Sequence, residues 1–476
     1  MFHVKQRRLL GLFLGVGLLG VLAIGCSSTG SRGWGAPIAD DGTQLVSPRR
    51  GKLDGIDIRT SPSPAWTGRL SQQLDDGATK LQTSSLNATG TAFQGDLLQI
   101  GSEMVRVQSL RVNDSGRELT LVRAQDGTAA AAHPSGTEVR AFRRPWRFPD
   151  DWNIPESSAR GLEGLYGQPY VASDGVVFVG DYKGWLYAFR PDDVRLDAEN
   201  REGQPLAAAI KLGKPIIGGV AYDEATQSLF VASIDDVYKV SASDMRNRLS
   251  NDEAPVAHSV FKRTGDEIWA TPVIADGKLL IASLDGYLYA MDLASGNEVW
   301  SFNSGNSLAT TPVVDGDRVL VGGFDSKLYA VDIDSGELDW TFEAENWLWG
   351  APVVNSGIAY FGDFDGILHA VNVQNGTEAW SLPLERGALR GSPAVSGNNL
   401  VIGSDDGWLI GVNINNRQRT WERDLGTAIQ SSAILSGSEI LIGPQGCVTP
   451  EGSTTRVFYR AVDPANGDLK QSTGVC

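Results

Sequence analysis

Cysteine and histidine are scarce in this chain. Its 476 residues include three cysteines, Cys26, Cys447 and Cys476, and four histidines, His3, His133, His258 and His369. None of the cysteines has a Cys or His neighbour at zinc-ligand spacing. The scattered histidines form no Ser/His/Asp grouping, and no glycine-rich loop spells a phosphate cradle. Positive charge is outweighed, with 41 Lys and Arg against 57 Asp and Glu, a net −16. Such an acidic surface repels nucleic acid and sets that class of partner aside. What is abundant is glycine (56) and tryptophan (13), with only 21% charged residues, the composition of a turn-rich globular protein.

The front of the chain is set apart. Lys5, Arg7 and Arg8 precede an apolar run from Leu9 to Ile24, and the run ends in "AIGC". A basic start and a run shorter than the roughly 20 residues of a comfortable span read as a secretory signal over residues 1–25. Small residues before a cysteine resemble the lipobox of bacterial lipoproteins, although Ala23 stands where leucine is commoner. The resemblance implies cleavage before Cys26, lipid on that cysteine, and a lipid-anchored linker over 26–33. An ordinary signal or an uncleaved anchor is the alternative. Export to an oxidising compartment would leave Cys447 and Cys476 as the pair able to form a disulfide.

The body repeats itself. "GYLYAMDLASGNEVW" (286–300) returns as "SKLYAVDIDSGELDW" and again as "GILHAVNVQNGTEAW". Units beginning at Thr271, Thr311, Ala351 and Ser392 each open on a small residue followed by proline and close on Trp300, Trp340, Trp380 or Trp421. The period is 40 or 41 residues, with no helical pattern inside it. Four short β-rich runs separated by Asp/Gly/Asn turns describe a four-stranded meander. The runs are apolar on both faces, as in strands whose sheet is covered on both sides. Sheets stacked radially give a β-propeller. Decayed copies extend the template to seven units between Leu165 and Cys476. The segment "GWGAPIADDGTQLVSPRRGKLDGIDI" from Gly33 matches "LWGAPVVNSGIAYFGDFDGILHAVNV" from Leu348 without a gap. The chain is therefore expected to be all-β, a propeller of four-stranded blades numbering eight, with seven as the alternative. The first blade occupies 34–59, is interrupted by an inserted small β-module over 60–143, and resumes at Trp146 within 144–476.

The insertion shows three strand-like runs, Leu97–Ile100, Met104–Leu110 and Glu118–Arg123. It resembles a small β-module of phage structural proteins, through Arg123, Gly127, Thr128, Ala130, His133 and Gly136, with Ala124 where that phrase usually has glycine. The resemblance implies a structural or adhesive module, with His133 in a turn or packing role.

The phrase Ala-x-Asp-x-x-Ser/Thr-Gly-x-x-x-Trp runs through Ala290, Asp292, Gly296 and Trp300, and through Ala330, Asp332, Gly336 and Trp340; Ala370, Gly376 and Trp380 carry it with Asn372 for the aspartate. It resembles the pyrroloquinoline-quinone-like (PQQ-like) propeller superfamily. The resemblance implies that Trp300, Trp340, Trp380 and Trp421 dock each blade against its neighbour while the polar residues pin the turn. Quinoprotein dehydrogenases of that superfamily use calcium, a catalytic aspartate and, often, a vicinal cysteine pair, which this sequence lacks. No catalytic residue and no cofactor is expected, PQQ included. Asp363 and Asp365 in "GDFDG" give a partial calcium-loop spelling, and a tight Asp-Gly turn explains them equally.

Within the superfamily the chain is most similar to the BamB lipoproteins, propellers that serve as scaffolds for assembling membrane proteins. The inserted module departs from that pattern. The expectation is an exported, lipid-anchored, monomeric, non-catalytic scaffold that binds envelope proteins. A quinoprotein-type or other extracytoplasmic enzyme, and a surface adhesin or carbohydrate binder using the module, are the alternatives. Residues just before each small-Pro step should ring one mouth of the channel. These are Tyr166, Trp269, Trp349, Arg390 and Gln430, with Trp347 and Arg386 on connecting loops. Aromatics and arginines gathered at one rim have the composition of a binding surface; plugging of the channel is the other reading.

Overall fold

The computed structural model describes strands within residues 38–57, most of 66–142, residues 146–148, and 165–475 with breaks, the longest at 443–456. Cys26, Cys447 and Cys476 lie outside the described residues, as does the apolar run at the front. No helix among the described residues is long and apolar enough to cross a membrane.

Eight four-stranded antiparallel sheets and one seven-stranded sheet make up the described chain. The fold is an all-β propeller. Blade 1 joins Ile38–Asp40, Gln44–Arg49 and Lys52–Asp57 to Trp146–Phe148, which pairs with Leu53–Gly55 across the intervening module. Blade 2 runs from Tyr170 to Lys211, blade 3 from Ile216 to Arg263, and blade 4 from Val273 to Asn303. Blades 5 to 8 run from Val313 to Glu343, Val353 to Pro383, Ala394 to Asp424, and Ile434 to Val475.

The second and third strands are buried along their length, as in Lys278–Ala282 and Lys327–Asp332. Burial on both faces follows from radial stacking. From blade 2 to blade 8, each neighbouring pair of blades shares a core cluster: Leu280 and Trp300 of blade 4 pack with Val319 and Ile333 of blade 5, and Leu320 and Phe342 of blade 5 with Phe361 and Val373 of blade 6. A blade buries neither face alone, so its stability is held jointly with its neighbours.

The recurring phrase can be read atom by atom. Its alanine lies opposite the tryptophan in the strand pair, as in Ala290 with Trp300 and Ala330 with Trp340, where a larger side chain would meet the indole. Its aspartate pins the turn. Asp292 Oδ1 accepts the Ser295 backbone N–H at 2.7 Å and its hydroxyl at 2.6 Å, and Asp332 does the same with Ser335. For Asp292 the Ser295 hydroxyl leads, and for Asp332 the Ser335 backbone N–H leads, in holding the carboxyl below its ordinary range.

Its glycine and tryptophan belong to different blades. Trp300 donates its Nε1–H to the Ile333 carbonyl of the next blade at 2.9 Å, Trp340 to Val373 at 2.9 Å, and Trp421 to Pro464 at 3.0 Å. Each indole lies on the glycine of that next turn. A Cβ at Gly336 would come within 2.6 Å of the Trp300 ring, and one at Gly376 within 2.6 Å of Trp340. Both glycines also hold a positive φ, +74° and +69°. The phrase is a joint between blades. For Trp380 the corresponding turn carries Arg417, with φ +60°, in place of glycine. In blade 3 the docking residue is Phe261, whose ring comes 3.3 Å from a Cβ placed on Gly296.

The small residues at the start of each inner strand serve a second joint. The Gly219 N–H donates to Thr271 Oγ1 at 2.9 Å, the Thr271 N–H to Thr311 Oγ1 at 3.1 Å, and the Ser392 N–H to Ser432 Oγ at 3.1 Å. Neighbouring backbones also come into contact there. A Cβ on Gly218 would lie 2.4 Å from the Ala270 carbonyl oxygen.

Two features depart from the sequence reading. A helix, Ala242–Ser250, links the third and fourth strands of blade 3, capped by the Ser241 hydroxyl on the Asp244 N–H. The module, in turn, has seven strands where three runs were visible. Trp66–Leu70, Lys80–Gln82, Leu86–Ala88 and Glu138–Phe142 complete its sheet around Leu98, Ile100, Val105, Val107 and Leu119. His133 is buried there, and its Nε2 lies 2.8 Å from Glu103, which also takes two hydrogen bonds from Arg123 at 2.7 and 2.6 Å. Arg123 further donates to the carbonyls of Asp75, Ala78 and Ala131, so this cluster ties the loop of small residues to the module's sheet.

Candidate binding face

In blades 2 to 7 the turn between strands two and three lies beside the loop that enters that blade's inner strand. Their adjacency is set by hydrogen bonds such as Gly265 N–H to Asp285 Oδ2 at 2.7 Å and Asn346 Nδ2–H to Asp365 Oδ1 at 2.7 Å. These turns and loops form one face of the propeller.

Over blades 4 to 7 that face carries a connected set of aromatic rings. The centroids of Trp269 and Trp349 are 5.3 Å apart. These two residues enter blades 4 and 6, and the residue entering blade 5 at the same position is Ala309. Phe324 joins Trp269 at 6.1 Å, Trp347 at 5.3 Å and Trp349 at 5.6 Å. Phe364 continues the set, 5.8 Å from Trp347 and 6.0 Å from Trp349. Arg390 closes it on the blade 7 side. Its guanidinium lies 4.6 Å from the Phe364 centroid and 5.7 Å from that of Trp349, and its Nε donates to Asp405 at 2.5 Å. The Trp269 Nε1–H donates to Glu267 at 2.7 Å. All five rings are half-buried, so each keeps exposed surface.

Four of the seven rim residues read from the sequence therefore come together: Trp269, Trp347, Trp349 and Arg390. The other three lie elsewhere. Tyr166 is buried edge-on against Tyr182 at 5.3 Å. Arg386 stacks on Trp408 at 4.2 Å and binds Glu422 at 2.7 Å. Burial raises the Glu422 carboxyl, but Arg386, with Arg419 beside it, outweighs that and holds it below its usual range. Gln430 is half-buried in front of blade 8. Phe324 and Phe364 are the residues the sequence reading missed. Both occupy the position just before the turn aspartate, so the signal was present one residue from the recognised Asp325 and Asp365.

The two aspartates with calcium-loop spacing are already engaged. Asp363 Oδ1 accepts the Asp365 and Ile367 N–H groups, and its Oδ2 faces His369 Nε2 at 3.0 Å. Asp365 Oδ1 receives the Asn346 amide. No group of three or more metal-ligating side chains occurs among the described residues. In blade 2 the same site holds Asp181 with Tyr187, whose hydroxyl donates to Asp181 at 3.2 Å. Blades 4 and 5 place the partner acid two residues later in the turn, as Tyr289 with Asp285 and Tyr329 with Asp325. Burial and then the hydrogen bond to the acid push both tyrosine hydroxyls well above their ordinary range. His369 is the exception, because its buried Nδ1 finds no hydrogen-bond partner. His369→Tyr, copying the blade 2 pair, is expected to raise stability by about 1 kcal/mol by removing that orphaned nitrogen. Chemical denaturation checks this, and a less stable variant would contradict it.

Comparison with known proteins adds the family. The family model described as "Outer membrane protein assembly factor BamB" matches residues 194–385, 284–440 and 339–475, together more than half of the chain. No curated protein matches. Among solved structures, BamB from Moraxella catarrhalis is 16% identical with a TM-score of 0.48, covering 65% of this chain and 89% of that one. The computationally designed Ika8 protein is 14% identical with a TM-score of 0.49, covering 74% and 94%. The WD40 propeller domain of Doa1 is 15% identical with a TM-score of 0.44, covering 60% and 92%. The repeats that build the end of blade 2 and blades 3 to 8, matched from residue 194 to residue 475, place this chain in the BamB outer-membrane-protein assembly factor family.

Proposed function

We propose that the protein is an exported, lipid-anchored, non-catalytic scaffold of the cell envelope that helps assemble outer-membrane proteins by holding a protein partner on the aromatic face of blades 4 to 7. The observation that carries this reading is the family match across residues 194–475. Its functional counterpart is the half-buried ring set around Trp349, a large apolar and aromatic surface of the kind that anchors protein interfaces. Deletion of the gene in the producing organism tests the reading. β-Barrel proteins of the envelope are expected to fall in abundance. Unchanged levels, or a quinone cofactor carried by the native protein, would replace this reading with the enzymatic one.

The tether is part of the proposal. Cys26→Ser is expected to yield an uncleaved or soluble form. Mass spectrometry of the native protein checks it, and a mature N-terminus elsewhere without acyl mass would contradict it.

A further inference from the structure

The aromatic face has a charge as well as a shape. Glu267 lies against Trp269, and Glu345 is exposed on the loop that carries Trp347. Asp285, Asp325, Asp365 and Asp406 occupy the turns beside these loops. Asp365 and Asp406 are exposed, Asp285 and Asp325 half-buried. Asp406 belongs to the same surface, since a Cβ on Gly387 of the loop entering blade 7 would come within 2.7 Å of its carboxyl carbon. The two arginines of this sector are already matched. Arg390 binds Asp405 at 2.5 Å and Arg386 binds Glu422 at 2.7 Å, while Lys327 has Glu343 as its cross-strand neighbour. What remains towards solvent is a hydrophobic, π-rich centre in a carboxylate surround.

Only one kind of side chain satisfies both features together. Lysine and arginine carry an apolar stem that covers aromatic surface and a cationic head that sits over ring faces or pairs with carboxylates. Arg390 already displays this arrangement within the protein, stacked on Phe364 and paired with Asp405. An acidic partner would be repelled, and a purely apolar one would leave the carboxylates desolvated beside it. We propose that the face binds a polypeptide segment presenting lysine or arginine side chains between apolar ones. The inference rests on the docking reading above and assigns the partner's chemistry.

The test uses the full-length protein and three synthetic peptides that alternate leucine with lysine, glutamate or serine. Binding is followed by tryptophan fluorescence and calorimetry. The lysine–leucine peptide is expected to bind best and to weaken as salt rises, because exposed charge pairs are screened. The paired change Glu345→Gln and Asp365→Asn, on exposed side chains that leave the core untouched, is expected to lower its affinity roughly tenfold. Glu337→Gln with Glu378→Gln, beside the turns at the opposite end of the blades, is expected to leave it unchanged. Equal loss from both pairs would show non-specific attraction to an acidic protein and overturn the proposal. If the glutamate peptide binds best and Trp349→Ala removes that binding, the face docks proteins but the cationic assignment is wrong. If Trp349→Ala changes the binding of no peptide, the assignment and the docking reading both fall. Binding of maltohexaose at this face in place of the lysine peptide would overturn the assignment in favour of a carbohydrate.

Discussion

Replacing Trp300 with alanine is expected to destabilise the propeller by about 3–5 kcal/mol, the range for removing a large buried aromatic. The indole is buried, lies on Gly336 and donates to the Ile333 carbonyl at 2.9 Å, so its loss opens a cavity between blades 4 and 5 and orphans an acceptor. Gly336→Ala attacks the same joint from the other side. Its Cβ would lie 2.6 Å from the ring, on a backbone with φ +74°. That substitution is expected to cost about 1–3 kcal/mol by overpacking. Combined, the two changes should cost less than their sum, because alanine at 300 leaves room for the new methyl group and only the backbone strain persists. Chemical denaturation of the two single variants and the double variant measures this coupling. Additive losses would mean that the two residues do not form one joint.

The second large effect is on binding. Trp349→Ala is expected to weaken the partner's hold by about 2 kcal/mol, the scale of a central interface anchor. Trp349 contacts Trp269, Phe324 and Phe364 and lies under the Arg390 guanidinium, so it is the hub of the ring set. Because it is half-buried, the stability cost should be smaller than that of Trp300→Ala. Thermal scans beside affinity measurements separate the two effects. A Trp349→Ala variant that binds normally would show that the rings plug the channel or stand idle and that the partner docks elsewhere.

The architecture was legible because each constraint repeats at a fixed spacing. Alanine opposite tryptophan, aspartate at the turn and glycine under the next indole recur with the blade period and need no distant information. Legibility failed where a local insertion broke that spacing. Phe261 does the docking of blade 3, but the helix Ala242–Ser250 separates its strand from the preceding one and hides the register. The module's shortest strands, such as Lys80–Gln82 and Leu86–Ala88, span three residues each, too few to display an alternation. The binding face was half legible. Position along the chain identified Trp269, Trp347, Trp349 and Arg390, but which neighbour a side chain meets depends on the gap between blades. Trp269 and Trp349 meet although they enter blades 4 and 6, and Trp408 holds Arg386 away from them.

The central claim is a division of labour in which the repeated phrase holds blades together and the aromatic face holds the partner. Site-specific photo-cross-linking in living cells tests it most directly, with the probe placed at Asp365 on the face or at Glu337 in a turn at the other end of the blades. The account predicts that the probe at 365 captures an envelope protein and that the Glu345→Gln change weakens this capture, while the probe at 337 captures none. Capture from 337 with none from 365 would contradict it.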